Sequence, residues 1–268
     1  MWPKLNTMKH FVALAALLTT FSAFAQLQHD SNNDGCVGSE DLLSLLTEYG
    51  SCEQTFVACG DELEYQGHYY RTVEIGGQCW FAENLRSTFY ANGDPISGPS
   101  HTDVDWQNAT EGAFTSYGDP AASQCVDYSS FIDACTEEVS IEEWGFLYNG
   151  YAVRDGRGIC PAGWHVPAVE EFNELHDFAG IPDVDGVISL RDSTWTYNPG
   201  SDALGFGLKP AGARQIYPNN GNAFLWSSSE VESDRNAYFN HLSTPALVSQ
   251  LNHWPLSSGL SVRCLRNE

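Results

Sequence analysis

Eight cysteines, at positions 36, 52, 59, 79, 125, 135, 160 and 264, constrain this chain more than any other feature. What they mean depends on the compartment, and the N-terminus indicates one. Lys9 and His10 precede the apolar run FVALAALLTTFSAF at 11–24, and Ala23-Phe24-Ala25 has the small-x-small pattern of a signal cleavage site. The run of about 14 residues falls short of the roughly 20 that span a bilayer. Residues 1–25 are therefore expected to be a removable secretory leader, with the mature chain starting near Gln26 and no membrane span. In an oxidising compartment the expectation is four disulfides. Roughly a hundred connectivities are open to eight cysteines, so spacing only suggests pairs. Cys36 and Cys52 flank one helical segment, Cys125 and Cys135 close CVDYSSFIDAC, and no C-x-x-C occurs.

Charge narrows the partners. Twelve Lys and Arg stand against 35 Asp and Glu, a net charge of −23, and the leader removes Lys4 and Lys9 as well. Such a field repels nucleic acid and anionic membrane and favours cations such as calcium. It also keeps an extracellular protein soluble, which is reason enough for most of these carboxylates.

The acidic residues are patterned at one place, DSNNDGCVGSED at 30–41. With Asp30 at position 1 of a calcium loop, Asn32 is at 3, Asp34 at 5, Gly35 at the bend, Cys36 at 7 through its carbonyl, and Asp41 at 12. A hard cation needs six or seven oxygens converging from one short loop, and glycine makes the bend without strain. The outgoing helix EDLLSLLTEYG would show Leu42, Leu45, Leu46 and Tyr49 on one face. Alternatively the same residues form an Asx-rich turn capping the helix through Ser39. Five matching positions favour calcium. This half hand resembles one repeat of a type I dockerin. Dockerins present two repeats to cohesin, and one is present here, so a cohesin partner is not expected. A Cys36–Cys52 bridge would close about 17 residues and add around 3 kcal/mol, useful in a module too small for a core.

The chain thus divides into a leader (1–25), a calcium-loop and helix module (26–52), a linker (53–62) and a large body (63–268). In the body, HYYRTVEI, QCWFA, GFLYNGYAV, AFLWSSS, NAYFNHL and LSVRCLR read as strands. AVEEFNELHDFA at 168–179 reads as a helix: Val169, Phe172, Leu175 and Phe178 share a face, Pro167 precedes it and Gly180 ends it. Glu170 and Glu171 at its start complement the helix dipole. Trp80, Trp164 and Trp226 read as core, and Asn84 with Ser227 to Ser229 as hydrogen-bonding partners of buried loops.

The succession YRTVEIGGQCWFAENLR, YANGDPI, GFLYNGYAV, GICPAGWHVP, WTYNPGSDALGFGLKPAGAR, FLWSSSE and GLSVRCLR resembles the Fibrobacter succinogenes major paralogous domain, a family of secreted bacterial domains. Two departures stand out: PAVEEF lacks the family's usual helix N-cap, and 97–144 is long enough to be a surface elaboration. The resemblance implies an α+β fold akin to C-type lectins and formylglycine-generating enzymes, with twisted antiparallel strands, few helices and disulfides. It also implies a Cys160–Cys264 bridge, which leaves Cys59 for Cys79. His165, in GWHVP, would be a satisfied buried imidazole.

Function is expected to be non-catalytic: a secreted surface or matrix protein binding an extracellular glycan or surface protein. Trp106, Trp195, Tyr197, Tyr217 and Trp254, in polar loops, are the candidate stacking contacts, and calcium is the one cofactor. A structural subunit of an extracellular appendage or matrix is the alternative. A formylglycine-type oxidase would need reactive thiols that the pairing removes, and neither G-x-S-x-G nor H-E-x-x-H occurs. A glycosidase carboxylate pair ranks below these.

Overall fold

The computed structural model describes residues 36–48, 56–98, 102–117, 133, 135–196, 198–214, 222–231, 236–243 and 248–268. The chain forms two compact units, Met1–Glu53 and Gln54–Glu268.

In the first unit a helix, α1 (Ser39–Glu48), is described. It starts at Ser39, one residue earlier than a Ser39 cap would require. Asp41 in its first turn accepts the Gly38 N–H at 2.7 Å, satisfying one of the amides that a helix start leaves without an internal partner. Leu42, expected on an apolar face, is exposed.

In the second unit the chain runs β1 (Glu62–Tyr65), β2 (His68–Ile75), β3 (Gln78–Phe81), α2 (Asp103–Asn108), β4 (Phe114–Thr115), α3 (Glu137–Trp144), β5 (Leu147–Asn149), α4 (Gly150–Arg154), β6 (Trp164–His165), α5 (Val169–Ala179), α6 (Val184–Leu190), β7 (Ala223–Glu230), β8 (Asn236–Ser243), β9 (Val248–Pro255), β10 (Gly259–Leu260) and β11 (Leu265–Arg266). The architecture is mixed α+β. Its strands form a five-stranded sheet in the order β1-β2-β3-β11-β6 and two three-stranded sheets, β10-β5-β4 and β7-β8-β9, with antiparallel pairing throughout the named strands. No helix among the described residues is long and apolar enough to cross a membrane.

β2 and β3 form a hairpin because Gly76 and Gly77 take φ of 63° and 87°, values that suit a two-residue turn between twisted strands. β3 is apolar almost throughout because both faces are covered. Phe81 lies in one core cluster with Tyr70 and Trp164, and Trp80 in a second with Phe172, Leu175 and Trp195. β7 divides in the same way, Phe224 and Trp226 to the first cluster and Ala223 and Leu225 to the second. The bridges Cys59–Cys79 and Cys160–Cys264 are both present, 20 and 104 residues apart in sequence. Cys52 and Cys125, partners in the other two expected pairs, lie outside the described residues.

Several expectations are corrected. GFLYNGYAV is not one strand: the Asn149 side chain accepts the Ala152 N–H at 2.9 Å, capping α4 and turning the chain. LSVRCLR is strand only at its two ends, β10 and β11. Segment 97–144 is built into the body, since β4 pairs with β5 and Trp106 and Trp144 are buried. The linker is docked too: Cys59 is bridged to β3, and the Phe56 ring meets Trp164 edge-on at 5.4 Å.

Helix α5 occupies its expected span, yet Phe178 is 57% exposed and His176 takes the buried position. The Phe178 ring lies over the turn at Gly76, where a Cβ would come within 3.0 Å of it. The cap that Ala168 cannot supply comes from elsewhere. Ser229 Oγ of β7 accepts the Val169 N–H at 2.9 Å, and Glu171 Oε2 accepts the Ala168 N–H at 2.6 Å.

Candidate functional site

The outward residues of β2 begin the site. Strand alternation sends Tyr70 and Thr72 inward and leaves Tyr69 and Arg71 on the open face. The segment after β3 adds Glu83, Asn84 and Arg86; the end of α3 adds Glu142 and Glu143. Gly207, Lys209 and Arg263 complete a cleft of about 320 Å³. Gly145, which closes α3 at φ 73°, permits this meeting, because a Cβ there would lie 2.9 Å from the Leu85 carbonyl.

The charges inside are ordered. Glu83 receives Arg71 at 2.9 Å and Arg86 at 3.4 Å, so one carboxylate serves two guanidiniums. Arg86 is braced from behind, donating to the Tyr69 carbonyl at 3.0 Å, while its backbone N–H donates to the Tyr70 hydroxyl at 2.9 Å. Burial pushes the Tyr70 phenol up to about 12, so it stays a neutral hydroxyl there. Lys209 pairs with Glu143. Arg263 is buried and donates to Asn84 Oδ1 at 2.9 Å, to the Gly207 carbonyl at 2.8 Å and to the Phe206 carbonyl. Asn84 in turn donates to the Trp144 carbonyl at 2.8 Å, linking Arg263 to α3. Tyr69 stands on the rim with 55% of its surface exposed. A cleft so made can take a polar ligand on charged walls and cover it with one aromatic face.

A second cavity, about 710 Å³, is bordered by Glu74, Gln78, Glu171, Glu174, Arg266 and Glu268 together with the Cys59–Cys79 bridge. Two residues of its lining, Glu171 and Asn267, serve architecture. His165 Nε2 lies 2.8 and 2.9 Å from the two Glu171 oxygens, and Nδ1 lies 2.7 Å from Asn267 Oδ1. The imidazole is satisfied, as expected, but its side chain is 36% exposed rather than buried.

Of the aromatic residues expected to stack on ligand, the three that are described, Trp106, Trp195 and Trp254, lie elsewhere. Trp106 and Trp195 are 1% and 0% exposed, so neither offers a face. The guanidinium of Arg214 covers the Trp106 ring at 4.8 Å, that of Arg191 covers Trp195 at 4.1 Å, and Trp195 Nε1 donates to the Leu208 carbonyl at 2.6 Å. Trp254 is half-buried against Phe224 and Phe239 at 4.8 and 4.4 Å. Tyr197 and Tyr217 lie outside the described residues. Of the calcium loop, Asp30, Asn32 and Asp34 also lie outside them, and Cys36 and Asp41 lie inside. Among the described residues no three His, Cys, Asp or Glu are grouped to hold a metal ion. The one sequence signal for the cleft was the alternation in HYYRTVEI, which puts Tyr69 and Arg71 on the same face of one strand.

The model of the Fibrobacter succinogenes major domain matches residues 73–266, a span that holds every cleft residue except Tyr69 and Arg71. No curated protein and no solved structure matches the chain.

Proposed function

The chain belongs to the Fibrobacter succinogenes major domain family, and on that footing we propose that its body is a non-catalytic, secreted binding module that holds an extracellular glycan in the Tyr69 cleft. The observation that carries this reading is an exposed tyrosine ring at the rim of a compact cleft whose walls offer both donors and acceptors. A sugar has apolar C–H faces and a rim of hydroxyls that need both kinds of partner, and a cleft of this volume takes a group of that size. The secretory leader, the disulfides and the C-type-lectin-like fold implied by the family resemblance support the same reading. Glycosidase chemistry needs two carboxylates facing one reacting bond. Here Glu83 and Glu143 are each held by a cation.

A glycan array probed with the chain from Gln26 onward tests this. Binding is expected, and Tyr69→Ala should weaken it about tenfold, the loss of roughly 1.4 kcal/mol of stacking, without changing Tm, since the ring is exposed. An array silent to a folded protein sinks the reading.

The 30–41 loop is proposed as a calcium site with a structural role. Asp41 is fixed in the first turn of α1, where the last ligand of such a loop stands. Titration should give one calcium per chain, lost in Asp30→Ala with Asp34→Ala. Chelation should leave the melting of the body unchanged, because Gln54–Glu268 is compact by itself. A body that melts earlier in EDTA would contradict this assignment.

A further inference from the structure

We propose that the sugar taken by the cleft is an acidic one, its carboxylate lying against the guanidiniums of Arg86 and Arg71, as in a uronic acid. This rests on the cleft being the glycan site and names the class of sugar it selects. Four of the chain's 12 basic residues line this one cleft, in a protein of net charge −23. Such a concentration against the prevailing charge needs a local cause.

The cleft also contains carboxylates, so where each charge sits decides the sign of the ligand. Lys209 and Glu143 close on each other. Glu142 forms no ion pair among the described residues, but it is exposed and water satisfies it. Arg263 stays behind the wall: it is buried, and Asn84 Oδ1 with the Phe206 and Gly207 carbonyls already take its donors. Burial accordingly pulls its guanidinium down to about 9. The charges of Glu83, Asp202 and Asp192 oppose that shift, and on the open wall the one carboxylate of Glu83 is divided between the guanidiniums of Arg71 and Arg86. The shortfall on that wall is therefore of an anion. A planar two-oxygen group suits it, because a guanidinium presents parallel N–H donors that match a carboxylate. A cationic ligand would gain Glu142 at the open rim and meet the guanidiniums of Arg71 and Arg86.

Titration of the secreted chain with D-glucuronate and with D-glucose, which differ at one carbon, separates the possibilities. Glucuronate should bind at least about tenfold tighter. Arg86→Gln and Arg71→Gln should each weaken glucuronate by about five- to tenfold and shift glucose by less than about twofold. These two carry the test because Arg263→Gln strips a buried hydrogen-bonded group and is at risk of unfolding. Equal affinity for both sugars, unmoved by either substitution, would overturn the acidic specificity while leaving a glycan site. Failure of both sugars to bind a folded chain would overturn this inference together with the reading beneath it.

Discussion

Replacing Cys160 and Cys264 together by Ala should cost the body about 4–5 kcal/mol. The bridge closes a loop of 104 residues, and in the chain-entropy account a loop near that length restrains the unfolded state by about this amount. Cys264 is fully buried and Cys160 nearly so, which leaves no water to compensate the lost packing. The bond also holds the start of CPAGWHVP against the segment that delivers Arg263 to the cleft. For a unit of this size the loss should appear as a Tm lower by roughly 10–20 °C. Urea unfolding of wild type and double mutant measures it directly, and a difference below about 1 kcal/mol would show that the sheet holds the two segments together unaided.

Trp226→Ala should cost a comparable 3–5 kcal/mol, toward the upper end of what large-to-small core substitutions remove. Trp226 has no exposed surface, meets Phe239 edge-on, and donates from Nε1 to the Tyr148 carbonyl at 2.7 Å. Truncation opens a cavity between β7 and β5 and leaves that carbonyl without its donor. Trp226→Phe separates the two effects: it keeps most of the apolar volume and loses the hydrogen bond, so it should cost about 1–2 kcal/mol. Equal losses for Ala and Phe would mean that the hydrogen bond, and not the volume, governs the site.

What could be read in the sequence follows the range of the interactions involved. β2 was legible to the residue because its alternation is local, and α5 because four apolar residues repeat at helical spacing. Trp80, Trp164 and Trp226 sit among apolar neighbours, and their burial followed. Trp106 and Trp195 did not, since DVDWQN and STWTYN are polar around them. The Trp106 ring is sealed by Arg214 from a distant part of the chain, and the Trp195 ring by Arg191 just before it, a shelter given by charged side chains that hydropathy scores as exposed. The turn at Asn149 was hidden in an apolar run because one side-chain hydrogen bond decides it. The cleft was the least legible part. Its residues come from five separate stretches between Tyr69 and Arg263, and no spacing in the sequence relates them.

The cap on α5 bears on the order in which this body can assemble. Ser229, which receives the Val169 amide, lies 60 residues further along the chain, beyond α6 and the long segment that follows it. An emerging chain that has reached only Gly180 therefore holds a helix whose first turn is secured by Glu171 alone. Its apolar face, Phe172 and Leu175, has by then met Trp80 but not yet Leu225. The arrival of β7 brings the cap, Ser229, and the core residues Ala223 and Leu225 in one event, so the two gain protection from solvent together. A local element is thereby made to wait on a distant one, and half-made chains have little reason to settle into a stable partial fold.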